Sequence, residues 1–314
     1  MGSGTLANDV IAGQLSLLGG HGLILSNGEF GERLMDQAWR FNLKFDALKF
    51  DWGKPLDLAQ VERKLSGHPT AHSEKSSIVN RQSSIDWLWC THCETSTGVL
   101  NDLRSLKALC DEFQVKLCLD CISSIGTMPV DLSGVFLASG SSGKGLRSYP
   151  GISMVFHNHA VTPEPERLPR YLDLGYYSQQ QGVPFTFSSN LLHALHAAVK
   201  HVDWEKRFAE AIAQSTFLRG KLVEFGFALI GSNTVTSPVV ITIALPPEMS
   251  SLKIGGLIQE SGYLVSYNSE YLRKKNWMQI CLMGECTHEK VVSLLNAMNR
   301  VCSRRTRKTE TTKA

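Results

Sequence analysis

The sequence predicts an α/β fold, with a mostly parallel central sheet flanked by helices and followed by a smaller α+β domain. Three observations point there. Short apolar runs alternate with helical periodicity through the first two hundred residues. The apolar runs end in polar residues or in Gly/Ser-rich turns. A long helical stretch then leads into a second, shorter mixture of strands and helices.

In order, residues 7–18 have helical periodicity stopped by Gly19 and Gly20, and 22–27 read as a buried strand. Residues 30–39 and 56–65 read as helices, the second with Asp57 as a possible N-cap. Residues 66–84 are polar and read as a surface loop. Apolar strands are expected at 85–92, 115–120, 134–139 and 151–156, with a helix over 103–113. Prolines 163, 165 and 169 mark an irregular connection, and 189–225 reads as long helix with a possible interruption near Val202 and Asp203. Strands at 239–245, 263–267 and 277–282, with helices at 251–261 and 287–301, complete the pattern. The expected division is 1–200 for the large domain, 201–302 for the small one and 303–314 for a basic, disordered tail.

Composition narrows the function. The net charge is +3, but the segment after Cys302 holds five Lys/Arg and one Glu, leaving a near-neutral body of 27 basic and 28 acidic residues. Such a body has no electrostatic footprint for nucleic acid. No apolar run reaches the roughly 18 residues needed to span a bilayer, and no signal peptide opens the chain. Eight cysteines, several inside apolar runs, fit reduced thiols in a cytosolic protein. CTHC (90–93) and CLDC (118–121) have near-zinc-ribbon spacing, yet cysteines three apart on a strand face opposite sides and cannot share a tetrahedral ion. No metal site is expected.

Four segments carry candidate chemistry. GSGT (2–5) opens a helix, where free N–H groups and the helix dipole suit a phosphate; a flexible terminus is the plainer alternative. HCETSTG (92–98) ends an apolar strand, where open α/β folds bind ligands, or is simply a polar loop. Asp120 ends the strand of LCLDCISSIG (117–126), and a carboxylate there needs donors such as a pyridinium N–H. Capping the following turn would also satisfy it. Lys144 lies in a Gly/Ser-rich turn between two strands, placed to serve as a Schiff-base lysine or as a solvated loop lysine.

The order of these segments, with Lys144 lying 24 residues after Asp120, resembles the class V branch of fold-type I pyridoxal-phosphate (PLP) aminotransferases. The likeness is strongest to 2-aminoethylphosphonate–pyruvate and alanine/serine–glyoxylate aminotransferases. It rests on GSGT (2–5), NGEFGER (27–33), HCETSTGVL (92–100), DCISSIG (120–126), SGSSGKGLRSYPG (139–151) and, more loosely, MQICLMGE (278–285). The resemblance implies that Gly4 and Thr5 hold the phosphate and that Phe30 stacks on the cofactor ring. Thr95 would bond the phenolic oxygen, Asp120 the ring nitrogen, and Lys144 would carry the cofactor. It further implies a homodimer in which Thr186, in VPFTFSSN (183–190), reaches the partner's phosphate. The implied activity moves an amino group from a small primary amine to a 2-oxoacid such as pyruvate or glyoxylate.

Two departures qualify that expectation. Gln279 stands where the family has an arginine for the substrate carboxylate, so the guanidinium fork is lost. Arg147 or Arg273 could compensate, or each could be a solvated surface charge. The Gly-rich turn also opens the chain with no strand ahead of it, as though an N-terminal segment were missing. A PLP-dependent lyase, or a non-catalytic relative serving as an interaction subunit, are the alternatives.

Overall fold

The computed structural model describes residues 1–67, 84–231 and 236–310. The expected loop at 66–84 therefore lies mostly outside the described residues, as do the last four residues of the expected tail. The described chain divides into two compact units, Met1–Glu94 with Leu100–Val202, and Thr95–Val99 with Asp203–Ala314.

From the N-terminus the elements run α1 (Gly4–Leu18), β1 (Gly22–Ser26), α2 (Glu29–Arg40), β2 (Phe45–Lys49), α3 (Leu58–Leu65), β3 (Trp87–Thr91) and the two-residue strands β4 (Cys93–Glu94) and β5 (Val99–Leu100), all in the first unit except Val99. They continue with α4 (Leu103–Glu112), β6 (Lys116–Asp120), β7 (Leu137–Ser141), β8 (Ser153–His157), α5 (Leu174–Gln179) and α6 (Ser189–Lys200). The sheet has the order β2-β1-β3-β6-β7-β8, parallel throughout except for β8, which runs antiparallel to β7.

Strand periodicity explains how this sheet is covered on both faces. Leu23, Leu25, Leu88, Cys90, Leu117 and Leu119 share one apolar core with Leu65 and Leu106 of α3 and α4. Their sequence neighbours Ile24, Trp87, Trp89 and Cys118 join Ile11 and Leu15 of α1 and Leu34 of α2 in the other. Cys90 and Cys121 thus lie in a different core from Cys118. Burial pushes all three thiols well up, so they behave as small apolar side chains. Among the described residues no group of His, Cys, Asp or Glu is arranged to hold a metal ion, and no helix is long and apolar enough to cross a membrane.

Caps set the helix starts. The Asp57 carboxylate accepts from Ala59 N and Gln60 N, Asp102 from Ser105 N, and Ser188 from Leu191 N. The expected long helix over 189–225 is broken at 201–203. Asp203 leaves the helical conformation and accepts from Lys206 N at 3.0 Å, starting α7 (Trp204–Glu224).

The second unit continues with β9 (Ala228–Leu229), β10 (Val240–Ala244), α8 (Ser251–Glu260), α9 (Glu270–Lys275), β11 (Trp277–Cys281) and α10 (His288–Glu310). Its sheet is antiparallel, ordered β11-β10-β9, and buries Ile241, Ile243, Met278 and Ile280 with Leu218 of α7, Ile254 of α8 and Leu295 of α10. The strand expected at 263–267 is reduced to one bridge, Ser266 to Gln279. Helix α10 runs past the expected end at Val301 to Glu310, since the chain there offers neither Gly nor Pro to stop it.

Candidate active site

The C-terminal ends of β3, β6 and β7 carry the polar segments, and α1 supplies the opposite wall. Helix α1 begins at Gly4 with no side-chain cap on its first N–H groups and no acidic residue in its first turn, which leaves an N-terminus suited to an anion. Gly4 lies in close approach to Ile122. A Cβ there would lie 2.6 Å from Ile122 Cδ1, so a larger residue would force the Ile122 side chain or the helix start to shift.

Asp120 closes β6. Its Oδ2 accepts from Asn8 Nδ2 at 2.8 Å and its Oδ1 from Ile122 N at 2.9 Å. The chain then turns through Ser123 and Ser124 to Gly126, whose φ of 79° needs glycine and whose Cβ would stand 2.7 Å from the Gly145 carbonyl carbon. This contact packs the turn after Asp120 against the Lys144 loop. Lys144 Nζ donates to Ser123 Oγ at 2.8 Å.

The Lys144 loop is itself stapled. Ser142 N donates to Ile152 O at 3.0 Å, Ser142 Oγ donates to Tyr149 O at 2.7 Å, and Ser148 N donates to Ser142 O at 3.1 Å. Gly2 N reaches Gly151 O at 2.9 Å, which ties the start of α1 to the end of the loop.

Phe30 follows the strand β1 as the second residue of α2. Its position is set by Glu94, a fully buried carboxylate that accepts from Phe30 N at 3.3 Å and Gly31 N at 2.9 Å. An acidic group at a helix N-terminus satisfies orphan donors and the dipole together. The Phe30 ring centroid lies 5.4 Å from Lys144 Nζ and 4.9 Å from Arg33 Cζ. Gly4, Thr5, Asn8, Phe30, Asp120 and Lys144 line one cavity of about 420 Å³, within the range for small-molecule and cofactor sites.

The fold therefore brings together five of the expected site residues: Gly4, Thr5, Phe30, Asp120 and Lys144. Thr186 is exposed in the segment before α6, and Arg147 is exposed with φ 57° in the Lys144 loop. Neither lines the cavity. Thr95 and Gln279 both belong to the second unit. Gln279 is buried there, and its Nε2 donates to Thr95 O at 2.7 Å, Ser96 O at 3.0 Å and Thr242 Oγ1 at 2.8 Å. Its Oε1 accepts from Tyr271 Oη at 3.1 Å. The amide expected to face substrate is thus occupied with its own unit. Arg273 is exposed on α9.

Three contributors were given no role from sequence: Asn8, Ser123 and Glu94. Ser123 and Glu94 lie inside the motifs 117–126 and 92–98, whereas Asn8 lies outside every motif, a polar residue one turn after Gly4.

These residues fit a flat pyridine aldehyde carrying a phosphate. The open helix end suits the phosphate and the Phe30 ring the heterocycle. The Asp120 carboxylate suits a ring N–H, and the Lys144 amine the aldehyde. The chemistry of this cavity therefore fits PLP, with the Lys144 amine as the available anchor.

Similarity to known proteins runs the same way. No family model matches the chain. The chain is 32% identical over 276 residues to the soluble hydrogenase 42 kDa subunit of Anabaena cylindrica, spanning 82% of this chain and 67% of that protein. It is 26% identical over 281 residues to the 2-aminoethylphosphonate–pyruvate transaminase of Pseudomonas aeruginosa, spanning 84% of this chain and 71% of that one. The crystal structure of alanine–glyoxylate aminotransferase from Nostoc sp. superposes with a TM-score of 0.80 at 25% identity, covering 96% of this chain and 80% of that one. The chain belongs to the class V family of PLP-dependent aminotransferases.

Proposed function

We propose that the protein moves an amino group from a small primary amine, 2-aminoethylphosphonate or an amino acid, to a small 2-oxoacid such as pyruvate or glyoxylate. The observation that carries this reading is one cavity onto which the Lys144 amine, the Asp120 carboxylate and the N-terminus of α1 all open.

Bound PLP supplies an electron-withdrawing ring that stabilises negative charge on the carbon next to the amine. The residues around it have separable tasks. Asp120 would hold the proton on the ring nitrogen. Gly4 and Thr5 would bind the phosphate. Phe30 would fix the ring plane, so that the bond to be broken stands perpendicular to it. Lys144 would anchor the cofactor and, once released by the incoming amine, take and return the substrate proton. Thr95 is assigned the phenolic oxygen by the family motif. Thr186 is assigned the phosphate of a second copy in a cytosolic homodimer.

With the Gln279 amide engaged within its own unit, an anionic group on the substrate needs another partner. Arg147 and Arg273 are the candidates from sequence.

The test is a set of half-reactions on PLP-loaded protein, with 2-aminoethylphosphonate, alanine and serine added singly and the cofactor absorbance followed. A donor that bleaches the band, which pyruvate or glyoxylate then restores, supports the transferase. Product released without any acceptor points to a lyase. The hydrogenase-subunit name of the Anabaena relative supports a second reading, a non-catalytic interaction subunit, for which no donor would change the spectrum.

A further inference from the structure

Helix α1 presents two residues one turn apart to the end of β6. Gly4 accepts the Ile122 side chain, and Asn8 reaches the Asp120 carboxylate. Asn8 is 5% exposed and lines the cavity. A carboxylate only accepts hydrogen bonds, so the amide end facing Asp120 Oδ2 at 2.8 Å is the NH₂ group. The other end, Oδ1, is buried without a hydrogen-bond partner among the described residues.

As a structural element this is poor chemistry. An orphaned amide oxygen carries a desolvation penalty that a leucine of similar size would avoid. What the amide achieves is control of Asp120. Asn8 takes one lone pair of Oδ2, and Ile122 N–H takes one of Oδ1. The carboxylate plane is then fixed, and its remaining acceptor capacity is left to the cavity.

We propose that Asn8 is a positioning residue for Asp120, which orients the carboxylate that holds the ring nitrogen of the cofactor. This inference rests on the PLP reading above. Asn8 touches neither the lysine nor the substrate in this role. It acts by keeping Asp120 aimed at the ring nitrogen, so its removal alters the protonation of that nitrogen rather than the capacity to load cofactor.

The experiment uses Asn8→Leu and Asn8→Ala, each loaded with pyridoxal phosphate carrying ¹⁵N in the ring. Asn8→Leu keeps the volume and loses the donor, whereas Asn8→Ala loses the donor without adding bulk. Both are expected to take up cofactor. The ring ¹⁵N resonance should move toward its unprotonated position, and kcat should fall by about tenfold or more with KM changed by no more than about twofold. Loading with N-methylpyridoxal phosphate, whose ring nitrogen is permanently charged, should erase most of the difference from wild type.

An unchanged ¹⁵N resonance overturns the proposal, as does a lost rate that the N-methyl analogue fails to recover. If Asn8→Leu fails to fold, Asn8→Ala decides alone, because it brings no new group against Asp120. Wild-type protein that takes up no cofactor would overturn both this inference and the functional reading. Normal wild-type loading with indifferent variants overturns this inference only.

Discussion

Lys144 and Ser123 are joined by a 2.8 Å hydrogen bond from Nζ to Oγ, across 21 residues of sequence. The bond links the turn after β6, which presents Asp120, to the loop after β7, which presents the lysine. Gly126 against Gly145 holds the same two segments together at the backbone. Orientation of the amine should therefore depend on Ser123. Ser123→Ala is expected to slow the first half-reaction by up to about tenfold, the worth of one oriented hydrogen bond, while cofactor content stays normal. Stopped-flow absorbance with the best donor checks it.

Glu94 is expected to be the dominant support of Phe30. Its buried carboxylate holds two N–H groups at the start of α2. Glu94→Ala should cost about 2–4 kcal/mol, the range for hydrogen bonds to a buried charged group together with the orphaned donors. Thermal unfolding of cofactor-free protein reads the loss, and a near-unchanged midpoint would count against this role.

Gln279 should matter for the stability of the second unit. Replacing it with leucine leaves the buried carbonyls of Thr95 and Ser96 without their donor, for an expected loss of about 2–4 kcal/mol. Hydrogen exchange at Ser237 N, which donates to Gly98 O at 2.7 Å, should quicken as the 95–99 segment loosens.

His92 sets a pH limit on stability. It is 5% exposed, its Nδ1 has no hydrogen-bond partner among the described residues, and burial lowers its pKa from the usual 6.5 to about 4. The unfolded chain therefore binds a proton that the folded chain refuses between those values. This contribution is intact above pH 6.5 and is lost progressively as pH falls toward 4, by up to about 3 kcal/mol. Denaturant midpoints at pH 7.5 and 5 should differ in wild type, and the gap should narrow in His92→Gln.

The sequence made the first unit legible because its strands are unusual. Runs such as LWC and LCL are apolar at every position, the mark of a parallel sheet covered on both faces. Strand β2, FDALK, is an edge strand with half-exposed and exposed side chains, and it lacked that mark. Asp120 and Lys144 were readable because strand ends and Gly-rich turns are local features. Their supports were not. Asn8 to Asp120 and Glu94 to Gly31 span 112 and 63 residues, and no local pattern encodes such pairs. The same holds for Thr95–Val99, which lies in the middle of one unit's sequence yet packs with the other. Gln279 was noticed for the charge it lacks, while the three acceptors that occupy its amide are visible only in three dimensions.

The most direct measurement is chemical. Protein expressed with ample vitamin B6 should be yellow, with a band near about 410–430 nm as expected for this cofactor bound to lysine. Reduction with borohydride followed by peptide mass analysis should place a phosphopyridoxyl group on Lys144, and Lys144→Ala should lose both band and adduct. Colourless wild-type protein, or an adduct located on any other lysine, would contradict the assignment of this cavity.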